Sequence, residues 1–349
     1  MSRNTHIRVA LHESLVDDVI ALICAFAVQG RLILLGGEKR GVRGVPNGTR
    51  KWETVTDVAA YDPSTGSWTR DVARKASLRL RSRCAVASCG GVAFVFGGYS
   101  TEQKQRMGIS STQLDLIASV DRSGGIERMP SGDDYSDYPE AICAAGMLYV
   151  MGQGPGDGKV HMTRFDPRTR EWTRLNIPPP MMRWVMLNQA HLAVLNGSLY
   201  ALNAYEMGGT ALYIYDSVAD QWQALAPPPM DGIGSRYGHC IAGLDSSSSL
   251  FVCGGKALVA ARFYSTSASC KRYCATTDKW TDIRNLCHSR HGAAAAVVDG
   301  HVYVCGGIGI AEDAINTIER YSNTPHGEYW DLVAPMPVAA VAWPLVIVV

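Results

Sequence analysis

Cysteine and histidine side chains near residue 280 are the first candidates for chemistry. Cys270 and Cys274 lie four residues apart, and Cys287 is followed directly by His288. Thiolate and imidazole groups hold structural zinc, so this set suggests a zinc site. The spacing matches no zinc finger, however, and Cys270 and Cys274 fit a strand and its following turn. We therefore expect no bound metal here, and no catalytic residue or cofactor in the chain.

Composition and the missing motifs exclude several classes of function. The 349 residues contain no Gly-x-Ser-x-Gly elbow and no glycine-rich phosphate loop between a strand and a helix. The glycine-rich segment 152–156 fits a turn. A formal net charge of +1 provides no basic field for a nucleic-acid backbone. Hydrophobic residues make up 47% of the chain, enough for a sizeable core.

Six of the ten cysteines recur at repeated positions, which argues against a disulfide framework. One strand position is shared by Cys24, Cys84, Cys143 and Cys240. Cys253 and Cys305 each directly precede a pair of glycines. Cysteine used in this way is a small hydrophobic residue, which suits a reducing compartment. We expect a cytoplasmic or nuclear protein.

An apolar run near the start of the chain could be mistaken for a targeting or membrane segment. The run 19–28 is ten residues long and follows Asp17 and Asp18. A membrane span needs roughly 20 apolar residues, and a signal peptide carries positive charge at this point. We interpret the run as a buried strand and expect no membrane partner.

The elements that would position any site form a repeat of about fifty residues. Strand-like runs end at a glycine pair or its equivalent, at Gly36, Gly97, Gly152, Asn203, Gly254 and Gly306. Downstream, an aromatic residue and a tryptophan are paired seven or nine residues apart: Tyr61 with Trp68, Phe165 with Trp172, Tyr215 with Trp222, Tyr273 with Trp280 and Tyr321 with Trp330. A fixed period of this size indicates a repeat architecture.

The last repeat shows what one unit contains. Strands are predicted over 291–298, 301–305, 317–321 and 329–332, and Asp299-Gly300 forms the first turn because it supplies positive φ angles. Four short strands per unit predict an all-β propeller blade. The second repeat lacks its tryptophan, and Ile126 takes that position.

The module resembles the kelch repeat over nearly the whole chain. Characteristic segments are Val92-Ala-Phe-Val-Phe-Gly-Gly98, Leu250-Phe-Val-Cys-Gly-Gly255 and Val302-Tyr-Val-Cys-Gly-Gly307. The resemblance implies a six-bladed kelch β-propeller with four antiparallel strands per blade. An N-terminal segment spans 1–19, and a C-terminal closing strand spans 338–349. The repeats lie at about 20–72, 80–129, 138–178, 188–227, 236–284 and 290–334.

Ring closure has two candidates on the sequence alone. The tail 338–349 could supply the innermost strand of the first blade, yet the run 20–29 already fits that position. A third arrangement would begin a seventh blade with the tail. We favour six blades with the tail packed into the closure.

The resemblance also implies where a partner would bind, on one rim of the propeller. Loops before each first strand and after each glycine pair carry the contacts in this family. By position, the rim residues are Arg81, Arg83, Tyr138, Arg183, Trp184, Arg236, Tyr237, His239, Arg290 and His291, with Glu38, Tyr99 and Tyr205 after the glycine pairs. These residue types suit an extended acidic peptide, although the acidic segment 133–140 gives the rim both signs of charge. The alternative is that the arginines and histidines bond carbonyl groups between blades.

We predict a non-enzymatic, monomeric interaction module that binds a protein or peptide. Recognition of targets for ubiquitination is one specific hypothesis, since many kelch proteins carry an F-box or BTB domain. One alternative is a kelch-type enzyme or metal-dependent specifier with a site at the channel mouth. Another is a cytoskeletal scaffold.

Overall fold

The computed structural model describes most of the chain in separate stretches. These are residues 32–40, 52–70, 82–89, 92–99, 118–120, 126–128, 139–153, 160–178, 190–205, 209–229, 236–260, 263–336 and 345–348. Almost all of the regular structure in them is β-strand. The helical content consists of one short 3₁₀ turn at Asp245–Ser247. Among these residues, no helix has the length and apolarity needed to cross a membrane.

The strands form six antiparallel sheets, numbered here in chain order. Sheet 1 contains β1 (Leu32–Arg40), β2 (Trp52–Asp62), β3 (Ser67–Arg70) and β25 (Leu345–Val348). Sheet 2 contains β4 (Ser82–Cys89), β5 (Val92–Tyr99), β6 (Ala118–Val120) and β7 (Ile126–Arg128). Sheet 3 contains β8 (Glu140–Ala144), β9 (Met147–Gln153), β10 (Val160–Asp166) and β11 (Glu171–Leu175).

The remaining sheets repeat the same order. Sheet 4 contains β12 (Ala190–Leu195), β13 (Ser198–Tyr205), β14 (Gly209–Asp216) and β15 (Gln221–Ala224). Sheet 5 contains β16 (Arg236–Leu244), β17 (Ser249–Ala260), β18 (Phe263–Thr266), β19 (Cys270–Cys274) and β20 (Lys279–Ile283). Sheet 6 contains β21 (Ala294–Val298), β22 (His301–Cys305), β23 (Ile318–Thr324) and β24 (Gly327–Val333).

Neighbouring sheets meet through their first strands. β4, β8, β12, β16 and β21 contact one another in turn. The strand from the chain's end, β25, pairs with β1 and takes the first-strand place in sheet 1, where it contacts both β21 and β4. The contacts between first strands therefore run from sheet 6 to sheet 1 through β25, and from sheet 1 to sheet 2. The other candidate for this place, the run 20–29, lies outside the described residues.

The core consists of apolar layers between adjacent sheets. Between sheets 4 and 5, for example, Leu195, Leu202, Leu250 and Val252 are fully buried. Alternation along the strand explains this, because alternate side chains of an inner strand face the two neighbouring sheets. Burying each such side chain contributes about 1.5–3 kcal/mol before chain entropy is counted. The sheets therefore stabilise one another rather than folding alone.

Four of the repeated tryptophans join their sheet to the preceding one. Within a sheet, the aromatic residue of strand three lies beside the tryptophan of strand four, with ring centroids 4.9–5.4 Å apart in the five pairs. The indole Nε1 of Trp222 donates to the carbonyl oxygen of Asn176, the residue after β11 of sheet 3, at 2.9 Å. Trp280 and Trp330 make the same bond, each to the segment that follows the preceding sheet. We call these bonds the tryptophan staples.

The same staple joins the last sheet to the first. Trp68 Nε1 donates to the carbonyl oxygen of Ala334, which follows the final strand of sheet 6, at 3.0 Å. The second repeat, which has no tryptophan, keeps the backbone register instead. Val120 pairs with Ile126, as Tyr61 pairs with Trp68 in sheet 1. The expected position of Ile126 is therefore correct, and the turn residues Asp299 and Gly300 both have the expected positive φ.

The cysteines differ in part from the sequence interpretation. Cys240, Cys253 and Cys305 are buried free thiols, as expected of small hydrophobic residues. Cys143 instead forms a disulfide with Cys89, with the two Cα atoms 5.4 Å apart. The linkage joins the inner strands of sheets 2 and 3. Expecting no disulfide was therefore wrong at this pair, and the cysteine pattern gives less support to a reducing compartment.

Candidate functional site

Chain direction places two kinds of loop at the same end of every sheet. In an antiparallel sheet of consecutive strands, the segment entering strand one and the loop leaving strand two lie at one end. The turns after strands one and three lie at the other end. We call the first end the rim. It is described most fully in sheets 5 and 6, where it includes Arg236, Arg290 and both glycine pairs.

The glycine pairs let the segment entering sheet 6 lie directly on sheet 5. Gly254 and Gly255 have φ of 71° and 101°, which side chains with a Cβ rarely adopt. The amide of Gly255 donates to the Arg290 carbonyl oxygen at 2.8 Å. A Cβ on Gly254 would lie 2.4 Å from that same oxygen. Close approach of two backbones therefore requires glycine here.

Arg290 is an internal strut at the rim, with no exposed surface. Its guanidinium donates to the carbonyl oxygens of Gly306 and Thr317 and forms an ion pair with buried Glu319 at 2.5 Å. Glu319 also accepts the backbone amides of Cys287 and His288. The sequence placed Arg290 among the partner contacts. The structure supports the alternative, in which the arginine bonds carbonyl groups inside the fold.

Arg236 and His239 are also mostly internal. Arg236 is buried, and it donates to the carbonyl oxygen of Gly254 at 3.5 Å. His239 is 1% exposed, and burial holds its pKa well below the usual value, with smaller effects from His191 and Arg236. Tyr237, between them, is half-buried. Of this predicted group, Tyr237 is the residue with appreciable surface.

His191 and Glu140 are polar residues of the inner strands that sequence reasoning did not select. His191 Nδ1 lies 2.6 Å from Glu140 Oε1, and the His191 and His239 rings lie edge to face with centroids 4.6 Å apart. Their position in the repeat could have identified them as a related pair. Glu140 pairs with Met151 and His191 with Leu202, each directly before a glycine-pair position. The two residues therefore occupy the same repeat position in adjacent sheets.

His291 is buried next to the Lys256–Glu312 ion pair. Burial lowers the pKa of His291 to about 4, Lys256 contributes to the lowering, and Glu312 opposes the shift. Its Nδ1 lies 3.3 Å from the hydroxyl of Thr266. A neutral, hydrogen-bonded imidazole in this position supports the rim rather than presenting charge to a partner.

The exposed part of the rim in sheet 6 is a loop that the sequence analysis did not select. Ile310 is 75% exposed at its tip. Backbone bonds hold the loop closed, from Gly309 N to Asp313 O at 2.9 Å and from Ile315 N to Gly307 O at 2.9 Å. Lys256 Nζ of sheet 5 pairs with Glu312 at 2.6 Å. An apolar side chain is thus presented on a pre-formed loop beside both signs of charge.

The other predicted rim residues divide into two groups. Four have a described backbone within strands, near the rim end of β1, β4, β5 and β13: Glu38, Arg83, Tyr99 and Tyr205. Four lie outside the described residues: Arg81, Tyr138, Arg183 and Trp184. Their roles as partner contacts stay predictions.

The candidate zinc residues behave as strand and turn residues. Cys270 is buried in β19, and Cys274 lies at the end of that strand, with its thiol 3.0 Å from the Thr276 hydroxyl. Cys287 Sγ faces the Trp330 carbonyl oxygen at 3.4 Å. Across the stretches with described side chains, no three His, Cys, Asp or Glu residues are grouped to hold a metal ion.

The matches to known proteins involve the repeat described above. The kelch motif family matches residues 289–337, which cover sheet 6. A solved structure entitled "Structure of YjhT", a kelch propeller, has a TM-score of 0.57, with 14% identity over 87% of this chain and 95% of that one. At this identity the likeness shows the fold alone: an all-β fold built of four-stranded antiparallel sheets.

The curated relatives carry kelch names. Kelch-like protein terF of Aspergillus terreus is 24% identical over 78% of this chain and 59% of its own length. Kelch-like protein 25 of Xenopus tropicalis is 29% identical over 36% of this chain and 21% of its length. A putative F-box/kelch-repeat protein of Arabidopsis thaliana is 21% identical over 58% of this chain and 52% of its length.

The chain thus spans less than two thirds of the length of each of these relatives. Kelch-repeat proteins are in general protein-interaction modules. The repeated four-stranded sheets, the kelch motif in the sixth sheet and the relatives with kelch names together show that this chain is similar to kelch-repeat proteins.

Proposed function

We propose that this protein is a six-bladed propeller that binds a protein partner at its rim. The six sheets are the blades, and β25 closes the ring by pairing with β1. Two observations support the closure: the first strands contact one another in sequence, and the Trp68 staple joins sheet 1 to sheet 6. A closed ring holds the rim loops of separate blades in one fixed arrangement.

The observation that carries the binding role is the exposed Ile310 on its hydrogen-bonded loop. A single exposed apolar side chain is common on protein surfaces. What distinguishes Ile310 is its place at the rim, on a hydrogen-bonded loop beside charged residues. Because the loop is already ordered by internal bonds, little entropy is lost when a partner binds. Tyr237 and the Lys256–Glu312 pair form the polar surroundings.

The partner that fits this surface is a protein segment with an apolar anchor and charges of both signs. Ile310 would contact the anchor, while Lys256 and Glu312 would exchange their mutual ion pair for contacts with the partner. The Glu312 side chain is 48% exposed and that of Lys256 is 15% exposed, so Glu312 is the more accessible of the two charges. A purely acidic peptide is a weaker fit to this part of the rim, since Glu312 and Asp313 are both exposed there.

The test is an affinity purification from the source cells with the intact protein and Ile310→Asp. The substitution places a charge where the proposal needs an apolar contact, and it should abolish capture of the partner. Val218→Asp is the matched control, because Val218 is 96% exposed on a turn at the opposite end of sheet 4. It should leave capture unchanged.

Each result has a clear consequence. Loss with Ile310→Asp alone, with all three proteins equally stable, supports binding at the rim. Equal capture by the three proteins would contradict the proposed site, and saturable turnover of a small molecule without any protein partner would favour the enzyme alternative.

Two narrower functions remain proposals. Recognition of targets for ubiquitination is supported by the F-box in the name of the Arabidopsis thaliana relative. Co-purification of ubiquitin-ligase subunits in the same experiment would support it. A cytoskeletal scaffold would instead show filament proteins among those captured. We propose that the protein acts as a monomer in the cytoplasm or nucleus.

A further inference from the structure

Three polar side chains from three consecutive sheets form a chain along the inner strands. Glu140 belongs to sheet 3, His191 to sheet 4 and His239 to sheet 5. Glu140 Oε1 lies 2.6 Å from His191 Nδ1, and the two imidazole rings have centroids 4.6 Å apart with their planes inclined at 67°. The proposed partner surface at Ile310 does not use these residues.

Three imidazole nitrogens in this group form no hydrogen bond of normal geometry within the described residues, although the Arg236 backbone interacts with the His239 ring. These atoms are His191 Nε2 and both ring nitrogens of His239, and all three are buried. Leaving a buried polar group unsatisfied costs about 1–3 kcal/mol, so such atoms call for a ligand, ion or water. His291, the buried histidine of the next rim segment, differs because its ring nitrogen meets the Thr266 hydroxyl.

We propose that His191 and His239 together bind one divalent transition-metal ion of the zinc, nickel or copper type. Imidazole nitrogen suits these metals, whereas calcium and magnesium prefer oxygen ligands. Two imidazoles on one ion, with metal–nitrogen bonds of about 2.1 Å, have ring centroids about 4.6 Å apart at a right angle and about 5.3 Å apart at a tetrahedral angle. The observed 4.6 Å lies at the lower end of this range.

Glu140 serves as the positioning residue for the His191 ligand. Its Oε1 faces His191 Nδ1, and its Oε2 accepts the Leu192 amide at 2.7 Å, so the carboxylate is fixed by a second bond. A carboxylate on one ring nitrogen selects the tautomer in which the other nitrogen is free to bind metal. Water would complete the coordination, because no third described ligand lies in the group. Binding is therefore weaker than at a structural zinc site with four protein ligands.

The experiment is titration calorimetry of the tag-free, EDTA-treated full chain with Zn²⁺ and with Ni²⁺. The intact protein should bind one ion, and Ca²⁺ and Mg²⁺ should not bind. His191→Gln and His239→Gln should each abolish binding, whereas Glu140→Gln should weaken it by about 10–100-fold. The matched control is the His288→Gln/His326→Gln double variant, which removes two exposed histidines and should bind normally.

A second measurement uses only the intact protein, so its result does not depend on whether a variant folds. Electron paramagnetic resonance of the intact protein with one equivalent of Cu²⁺ should show coupling to two imidazole nitrogens. Absence of binding by the intact protein, unchanged binding by the His191 and His239 variants, or coupling to fewer than two nitrogens would overturn the proposal. The two rings would then make an aromatic contact only.

Discussion

At the residue scale, the rim of sheets 5 and 6 is built from buried polar groups rather than displayed ones. The repeat placed Arg236, His239, Arg290 and His291 near the starts of first strands, although β21 begins at Ala294 and not at His291 as predicted. The repeat pattern could not assign their surroundings. Whether an arginine faces solvent or a buried carboxylate depends on Glu319, which lies in another strand and belongs to no motif.

Arg290→Ala should destabilise the protein strongly. Glu319 would keep its buried charge without the guanidinium that balances it, and breaking such a pair costs about 3–5 kcal/mol. Urea unfolding of the variant measures this loss. The control is Arg284→Ala, which removes an exposed arginine from the same segment between sheets 5 and 6. This control should change stability by less than about 0.5 kcal/mol.

Removing both charges provides the sharper comparison. The Arg290→Met/Glu319→Gln double variant should recover part of the stability lost in Arg290→Ala, because it leaves no buried charge unpaired. If Arg290→Ala were as stable as the intact protein, the structural role of Arg290 would be contradicted. The hypothesis that Arg290 contacts a partner would then be favoured again.

His291 should make stability depend on pH between about 7.5 and 5. Its pKa is about 4 in the folded protein and about 6.5 when unfolded, so the unfolded chain takes up the proton first. The contribution is fully present above pH 6.5 and is lost as the pH falls toward 4. It amounts to about 2 kcal/mol between pH 7.5 and pH 5.

The measurement is urea unfolding of the intact protein and His291→Gln at both pH values. Taking the difference removes the effect of other titrating groups, including His239. The intact protein should lose about 2 kcal/mol more than the variant on going to pH 5. The same loss in both would show that His291 is protonated in the folded protein at pH 5.

At the element scale, strand positions were predictable wherever the repeat is regular. Strands three and four of the last unit, the Asp299-Gly300 turn and the register of Ile126 all followed from spacing. The loop carrying Ile310 did not, because its shape comes from backbone bonds between Gly307, Gly309 and their partners. Such bonds are independent of side-chain type and leave no pattern in the sequence.

The disulfide shows a second limit at this scale. The repeat pattern placed Cys143 at the same position as Cys84 and Cys240, which suggested a free thiol. This placement was wrong, because Cys143 pairs with Leu148, four residues before Gly152, whereas Cys240 pairs with Cys253, directly before Gly254. Cys89, the disulfide partner of Cys143, ends the inner strand of the preceding sheet, 54 residues earlier. Pairing depends on how two sheets lie against each other, and that arrangement is set by the packing between them rather than by either strand alone.

At the scale of the whole molecule, the end of the chain completes the first sheet. Removal of residues 345–349 should destabilise sheet 1, because β1 would lose a strand partner along Leu32–Leu35. Hydrogen exchange of the Leu32–Leu35 amides should speed up, and the midpoint of thermal unfolding should fall. The sequence favoured this closing role for the tail but could not exclude the run 20–29, since both are apolar and of strand length.

Two comparisons make the truncation informative. The amides of β22 in sheet 6, which the tail does not pair with, should keep their protection in the shortened protein unless the whole fold has opened. Unchanged exchange at Leu32–Leu35 would contradict the pairing of β25 with β1.

The tryptophan staple between sheets 6 and 1 has a consequence for how the chain could be reconnected. Trp68 bonds Ala334 in the same way that Trp222 bonds Asn176, so the boundary between the last and first sheets is made like an internal one. Circular permutants opened between other sheets should therefore reach the same architecture.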